Sequence, residues 1–202
     1  SNFPDCDKWI FTVTPEIANS LEFISFKKNF THPLEVLEIK RTTSGQASST
    51  YLVTEELNAE DSCFIGSCDA IFKEKIDLMK LEKSQFSVIT SVPSLSQLEN
   101  PESFGWVVKD KENYSIYCKE KIIVEKNISQ VILGYFYFKK IDFFNNGFKF
   151  MRNNNLFVNN ELYIDVLAKH LLTTDLNFLN YEVESSVVGT PKEYEKYIKN
   201  EL

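Results

Sequence analysis

The first seventy residues alternate between short apolar runs and segments of helical period, and this alternation constrains the fold more than any other feature of the chain. Residues 9–13, Trp-Ile-Phe-Thr-Val, are an apolar run bounded by turn residues. Thr14-Pro15 follows as a helix N-cap with proline at the first helical position, where its missing N–H costs nothing. That helix carries Ile17, Leu21 and Ile24 on one face and ends before His32-Pro33. Residues 35–40 alternate as a second strand, the turn at 42–46 opens a helix over about 47–57, and Cys63-Phe-Ile-Gly66 is a third short strand. The order β-α-β-α-β, with strands apolar on both faces, predicts a mostly parallel sheet covered by helices on both sides.

The rest of the chain extends this plan. A helix is expected around 74–81 and a strand at 86–92. Segments 104–109 and 115–125 flank the polar turn Asp110-Lys-Glu-Asn113 as a hairpin, which makes the sheet mixed. Then come a strand at 134–138, a helix at 143–151, an Asn-rich loop at 153–160, a helix from Glu161 to Leu172 and a strand at 178–183. Thr190 with Glu193 is a capping box, and Pro191 again takes the first helical position of a short terminal helix reaching about Ile198. No repeat, linker or low-complexity segment divides residues 1–202, so a single domain is expected.

Composition excludes some partners. With 43% hydrophobic residues, 17 Phe and 9 Tyr, the chain can fill a sizeable core. A net charge of -7 without a Lys/Arg-rich run argues against nucleic acid or an anionic membrane, either of which needs a concentrated positive field. The longest apolar runs, such as residues 131–138, are about a third of a membrane span, and the N-terminus lacks a signal-peptide pattern. A soluble, cytoplasmic protein is expected. Cys6, Cys63, Cys68 and Cys118 lack paired CxxC spacing; Cys63 and Cys118 read as small buried hydrophobes. His32 and His170 read as structural, and no Ser-His-Asp or Cys-His arrangement is arguable.

Ligands of mostly parallel sheets sit beyond the carboxyl ends of the strands. Asp69 closes the third strand, with nothing apolar after it to bury, and is placed to hold a divalent cation against a phosphate; a turn Asp capping the next element is the plain alternative. In the Ser44-Gly45-Gln46 turn, free N–H groups and an amide could read a nucleotide base, or Gln46 is an ordinary polar helix start. Glu125-Lys126 delivers an acid and a base ahead of the apolar strand Val131-Ile-Leu-Gly-Tyr-Phe-Tyr-Phe138 with its lone Gly134, against a solvated hairpin rim. Glu161 and Tyr163 open a helix, where a carboxylate also serves as a simple cap.

Taken in order, Thr43-Ser-Gly-Gln-Ala47, Ile65-Gly-Ser-Cys-Asp69, Phe104-Gly-Trp-Val-Val-Lys-Asp110, Glu125-Lys126 with Ile128-Ser129, Gly134-Tyr-Phe-Tyr-Phe138, Glu161-Leu-Tyr163 and Gly189-Thr-Pro191 resemble the sugar-phosphate nucleotidyltransferase family, in particular its bacterial capsule and surface-polysaccharide members. The resemblance spans roughly residues 9–198. It implies a Rossmann-like three-layer α/β fold with a mixed, mostly parallel central sheet, which joins a nucleoside triphosphate to a sugar phosphate and releases pyrophosphate. It implies that Gln46 contacts the base, that Gly45 is substrate-binding, that Asp69 holds Mg2+ and is catalytic together with Lys126, and that Glu125, Lys126, Gly134 and Glu161 surround the sugar phosphate. Self-association into a homo-oligomer is left open.

Two departures accompany the resemblance. The family opens with a strand, a Gly-rich loop carrying an Arg, and a Pro-Lys-Pro segment; this chain has six Gly, no two in GxG spacing. It is therefore expected to be N-terminally truncated relative to the family, with an open or differently filled slot between the strands at 9–13 and 63–66. A second metal-binding Asp, implied two residues before Gly189, is Val187. The competing readings are a non-catalytic nucleotide or sugar-phosphate binding module, and a glycosyltransferase. The last ranks lowest, because Asp5-Cys6-Asp7, the one Asp-x-Asp, precedes a strand instead of following it.

Overall fold

The computed structural model describes residues 2–125 and 127–201, without the side chains of 200 and 201. β1 (Trp9–Val13) and β2 (Leu34–Glu38) pair in parallel and are linked by α1 (Pro15–Ala18) and α2 (Leu21–Asn29). The helix expected to be continuous is two. Thr14 Oγ1 caps the first by accepting from the Ile17 N–H at 3.4 Å, and Ser20 Oγ starts the second by accepting from the Phe23 N–H at 3.2 Å. The expected apolar face is also displaced: Ile17, Leu21 and Ile24 are exposed, Leu21 by 80%. Phe23, Phe26 and Phe30 hold this unit instead, their rings 6.5, 5.4 and 5.9 Å from Phe11.

The main body follows as α3 (Gln46–Thr54), β3 (Cys63–Ile65), β4 (Ala70–Phe72), α4 (Leu78–Leu81), β5 (Phe86–Ser91), α5 (Leu95–Glu99), β6 (Gly105–Asp110), β7 (Asn113–Cys118), β8 (Ser129–Phe138), α6 (Ile141–Asn153), α7 (Ile164–Leu171), β9 (Phe178–Glu182), β10 (Ser185–Val187) and α8 (Pro191–Glu201). Six strands form one sheet in the order β7-β6-β8-β5-β9, with β3 on β8. β3 and β5 both run antiparallel to β8, and β9 runs parallel to β5, so the centre of the sheet is parallel apart from β8. The fold is thus the mixed Rossmann-like α/β sheet expected. It curls until the rings of Tyr114 and Phe178, on its two outermost strands, meet at 5.2 Å.

Two cores cover its faces. Phe86, Val88, Phe136 and Phe138 pack against Phe144, Phe148 and Met151 of α6 and Ile164 and Leu167 of α7. On the other face Ile89, Trp106, Tyr135 and Tyr137 pack against Phe72, Ile76 and Leu81. β5 is buried along its whole length, which explains why Phe-Ser-Val-Ile-Thr-Ser carries no charge.

β4 and β10 were not legible as strands. They pair antiparallel, Val187 opposite Ala70, and Ala70 and Phe72 are buried. The chain after Asp69 therefore does bury apolar residues, contrary to the sequence reading. Glu161 does not open a helix: it bridges Val158, and α7 begins at Ile164. The capping box is present, with the Thr190 N–H donating to Glu193 Oε2 at 2.9 Å and the Glu193 N–H to Thr190 Oγ1 at 3.3 Å. Cys118 is buried and Cys63 half-buried, both unpaired by disulfides. His170 stacks on Phe150 at 3.7 Å.

Between β1 and β3, which belong to separate sheets, no strand pairing is made among the described residues. The ring of Phe3 stands there, 5.6 Å from Trp9, 6.4 Å from Phe64 and 5.3 Å from Phe72.

Asp165, in the first turn of α7, lies against Gly105 and the Cys118 thiol. Burial pushes its carboxyl up to about 6, against the opposing pull of its own backbone N–H and Lys119. A carboxyl whose pKa rises on folding binds more protons in the native state, so its contribution to stability falls as pH climbs through the window from about 4 to 6. Urea unfolding of Asp165→Asn and wild type should show the variant gaining relative stability as pH rises from 4 to 7, by about 2 kcal/mol. A difference independent of pH would contradict the buried carboxyl.

Candidate active site

The site is organised by an irregularity in β8. β5 and β8 pair residue by residue except at one point: Ile89 lies opposite Tyr135 but Thr90 opposite Ile132, so Leu133 and Gly134 are additional. Gly134 takes φ +76°, a left-handed conformation natural to glycine, and a Cβ there would stand 3.0 Å from Ser67 Oγ. The bulge frees two carbonyls from the ladder. Gln46 Nε2 donates to Gly134 O at 2.8 Å, and the Ser67 hydroxyl is 3.2 Å from Leu133 O.

Gln46 is the first residue of α3 and follows Gly45, whose φ of +98° and ψ of 176° belong to a region open essentially to glycine alone. A Cβ on Gly45 would meet Leu162 O at 2.8 Å and Glu161 Cβ at 3.1 Å. The turn is clamped to the same segment by the Leu162 N–H donating to Ser44 O at 2.6 Å and the Ala47 N–H donating to Leu162 O at 3.1 Å. Gly45 therefore sets Glu161 beside Gln46.

On the other side of the bulge, the Ser67 hydroxyl also reaches Asp69 Oδ1. Asp69 is exposed, and its carbonyl accepts from the Val188 N–H at 2.8 Å. A Cβ on Gly189 would lie 3.0 Å from Asp69 Cβ. β10 thus brings Val187-Val188-Gly189 alongside Asp69. Tyr135, behind them, is pushed up to about 12 by burial and donates its hydroxyl to Ala70 O at 3.2 Å.

A second group adjoins Glu161. Lys119 Nζ donates to the Tyr163 hydroxyl at 2.9 Å and sits 4.5 Å from that ring's centroid. Burial works against its charge, but the Tyr163 hydrogen bond and the field of Glu161 outweigh burial and hold the ammonium above its ordinary value. Burial, and then Glu161, push the Tyr163 phenol up. The Lys119 N–H donates to Phe104 O at 3.0 Å, tying this cation to the Phe104-Gly105 segment. Glu120 pairs with Lys169 at 2.6 Å.

The structure therefore links Gln46, Gly134 and, through Ser67, Asp69 in one chain of contacts, and links Gly45 to Glu161. Glu125 is not joined to them by any hydrogen bond or ion pair among the described residues. It is exposed in the turn that opens β8, its carbonyl accepting from the Ser129 N–H at 2.8 Å. Gly134 is five residue steps along the strand from Ser129, a rise of roughly 16 Å. Lys126 lies outside the described residues. A second Glu-Lys pair, Glu120-Lys121, follows Lys119 just after the end of β7. Sequence reasoning did not single out Ser67 or Lys119: Ser67 matters only because the bulge frees a carbonyl, and Lys119 only because the β6-β7 hairpin delivers it to Tyr163.

Among the described residues no group of three or more His, Cys, Asp or Glu side chains could hold a metal ion. Asp69 supplies one carboxylate, and Val187 stands in the strand beside it. Such a donor set fits Mg2+ only when phosphate oxygens and water complete the shell, which is how Mg2+ is commonly held.

No protein-family model and no curated protein matches this chain. Solved structures do. The nucleoside-diphosphate-sugar pyrophosphorylase of Vibrio cholerae RC9 superposes with a TM-score of 0.73 at 15% identity, covering 95% of this chain and 80% of that one. The inositol-1-phosphate CTP transferase of T. maritima gives 0.66 at 13%, covering 96% and 75%. The CTP:phosphocholine cytidylyltransferase of Streptococcus pneumoniae gives 0.62 at 16%, covering 97% and 79%. At these identities what is shared is the path of the backbone: the chain has the nucleotidyltransferase fold.

Proposed function

We propose that the chain is a sugar-phosphate nucleotidyltransferase domain, which binds a nucleoside triphosphate and a sugar phosphate in one cleft and couples them into a nucleotide sugar. The observation that carries the reading is the Gln46–Gly134 hydrogen bond with Ser67 and Asp69 beside it, in a fold shared with pyrophosphorylases and cytidylyltransferases. A phosphate oxygen of the sugar phosphate attacks the α-phosphorus in line. The new P–O bond forms as the bond to the β-phosphate oxygen breaks, and pyrophosphate leaves.

In this reading each residue has a role set by its contacts. With its amide nitrogen committed to Gly134 O, Gln46 presents Oε1 as an acceptor for the edge of the base. Gly45 lets the backbone approach it closely. Asp69 is the residue that would hold Mg2+, which when bound neutralises phosphate charge. Lys119 and Tyr163 offer an ammonium and a hydroxyl to the phosphate of the sugar, with Glu161 accepting from its hydroxyl groups. Glu125, Lys126 and Gly134 are assigned to the sugar phosphate by the sequence resemblance. A bacterial capsule or surface polysaccharide is the proposed destination of the product. No helix among the described residues is long and apolar enough to cross a membrane; the cytoplasm, where nucleotides are held, is the compartment proposed.

The single carboxylate at Asp69, with Val187 opposite Ala70, favours a second reading: a module that binds the same ligands without turnover. Mixing the chain with each nucleoside triphosphate, Mg2+ and a panel of sugar 1-phosphates separates the two. Pyrophosphate release supports the transferase; a raised melting temperature without pyrophosphate supports the binder; neither effect removes both. Gln46→Ala should weaken binding of the preferred nucleoside triphosphate about tenfold by calorimetry, as expected for one lost hydrogen bond of about 1.4 kcal/mol. Asp69→Asn should abolish the Mg2+-dependent part of that affinity and leave the Mg2+-free part intact.

A further inference from the structure

α7 and the residue that heads it grip the end of β7 at three successive positions. Tyr163, which precedes the helix without capping it, accepts from Lys119 Nζ at 2.9 Å; Lys169 donates to Glu120 Oε1 at 2.6 Å; between them Asp165 stands against the Cys118 thiol. The Lys169–Glu120 pair is exposed and contributes little. Asp165 is placed differently. Gly105 and Cys118 lie directly opposite each other in the β6-β7 ladder, and a Cβ on Gly105 would stand 2.0 Å from Asp165 Oδ2. The carboxyl therefore rests on the Gly105 backbone, in space that only glycine leaves, and accepts from the buried Cys118 thiol and from its own backbone N–H.

Lys119, the next residue after Cys118, has a φ of +48°. A lysine rarely adopts this left-handed conformation, and it persists only where the surroundings impose it. Two contacts do so. The Lys119 N–H donates to Phe104 O at 3.0 Å, beside Gly105, and its ammonium reaches Tyr163, two residues before Asp165. Both hold only while the end of the hairpin is seated on the start of α7, and the contact that seats it from the inside is the Asp165 carboxyl on Gly105 and Cys118.

We propose that Asp165 is the positioning residue of the candidate site. By fixing the Gly105–Cys118 pair to α7 it keeps Lys119 in its left-handed conformation, with the ammonium on Tyr163 and available to a phosphate. The inference rests on the assignment of Lys119 to the phosphate of the sugar. Asp165, turned toward Gly105 and Cys118, acts wholly through Lys119.

NMR spectra of the chain labelled with carbon-13 at the lysine Cε positions test this without any ligand. The Lys119 resonance, assigned by its absence from Lys119→Met, should stand apart from those of exposed lysines because the Tyr163 ring centroid lies 4.5 Å from the ammonium. Asp165→Ala should return it to the exposed-lysine position, whereas Lys169→Ala, which removes the exposed grip on Glu120, should leave it displaced. Calorimetry with inorganic phosphate reads the consequence: Lys119→Met should weaken binding about tenfold, Asp165→Ala comparably, and the double variant no more than either alone. Where Asp165→Ala lacks native circular dichroism, Cys118→Ala, which removes the other partner of the contact, takes its place in both measurements. The proposal is overturned if the resonance stays displaced in the folded variant, if Lys169→Ala moves it as far, or if the variant weakens phosphate binding equally in the Lys119→Met background. An unchanged phosphate affinity in Lys119→Met overturns instead the reading on which this one rests, and the ligand-free resonance still decides whether Asp165 places Lys119.

Discussion

Two residues too many in β8 organise everything around them. A strand with β5 on one side and β3 and β6 on the other has no solvent into which to turn a stray carbonyl, and an unsatisfied buried acceptor costs about 1–3 kcal/mol. Leu133 and Gly134 break the ladder, so their carbonyls must find donors elsewhere. The donors are the amide of Gln46 and the hydroxyl of Ser67, which are also the side chains that flank the candidate cleft. The same irregularity thus fastens the start of α3 and the segment leading to Asp69 to one point of the sheet.

This explains which parts of the site were legible. Gly134 and Gly45 were visible, because glycine marks backbone that other residues cannot adopt, and the structure shows positive φ at both. Alternating strands and helices were visible because their periods are local. β4 and β10 were not, since three-residue strands carry no period and theirs pair across more than a hundred residues of sequence. Glu161 was misassigned to a helix because a carboxylate ahead of an apolar run looks like a cap. Its real constraint, the close packing of Gly45 on Glu161 and Leu162, is non-local. The Ile17, Leu21, Ile24 stripe failed for a different reason. Two apolar stripes competed on one segment, and the phenylalanines at 23, 26 and 30, with larger rings to pack against Phe11, made the contacts, Phe23 and Phe30 half-buried and Phe26 still exposed.

The β1-β2 unit shows what this choice costs. None of its residues is fully buried, and its rings pack chiefly on one another. Phe3 connects it to the main body, touching Trp9 on one side and Phe64, Phe72 and Tyr135 on the other. An aromatic contact tolerates lateral displacement in a way that a ladder of backbone hydrogen bonds does not, and no such ladder among the described residues joins β1 to β3.

A net charge of -7 disfavours a polyanionic ligand, yet in the proposed reading the long-range field is not what decides binding. At physiological ionic strength charges separated by more than about 8 Å are largely screened. In the proposed reading, what a phosphate would meet at close range is the half-buried ammonium of Lys119, whose nearest fixed partner is a neutral hydroxyl, so that its charge is not spent on a carboxylate within ion-pairing distance. Most lysines elsewhere on the surface that reach an acid, such as Lys8, Lys140 and Lys169, are in exposed ion pairs that contribute little and steer nothing. Placement, and not the sum of charges, is therefore the quantity that separates a phosphate-binding face from an acidic surface, and it is the quantity that composition alone is blind to.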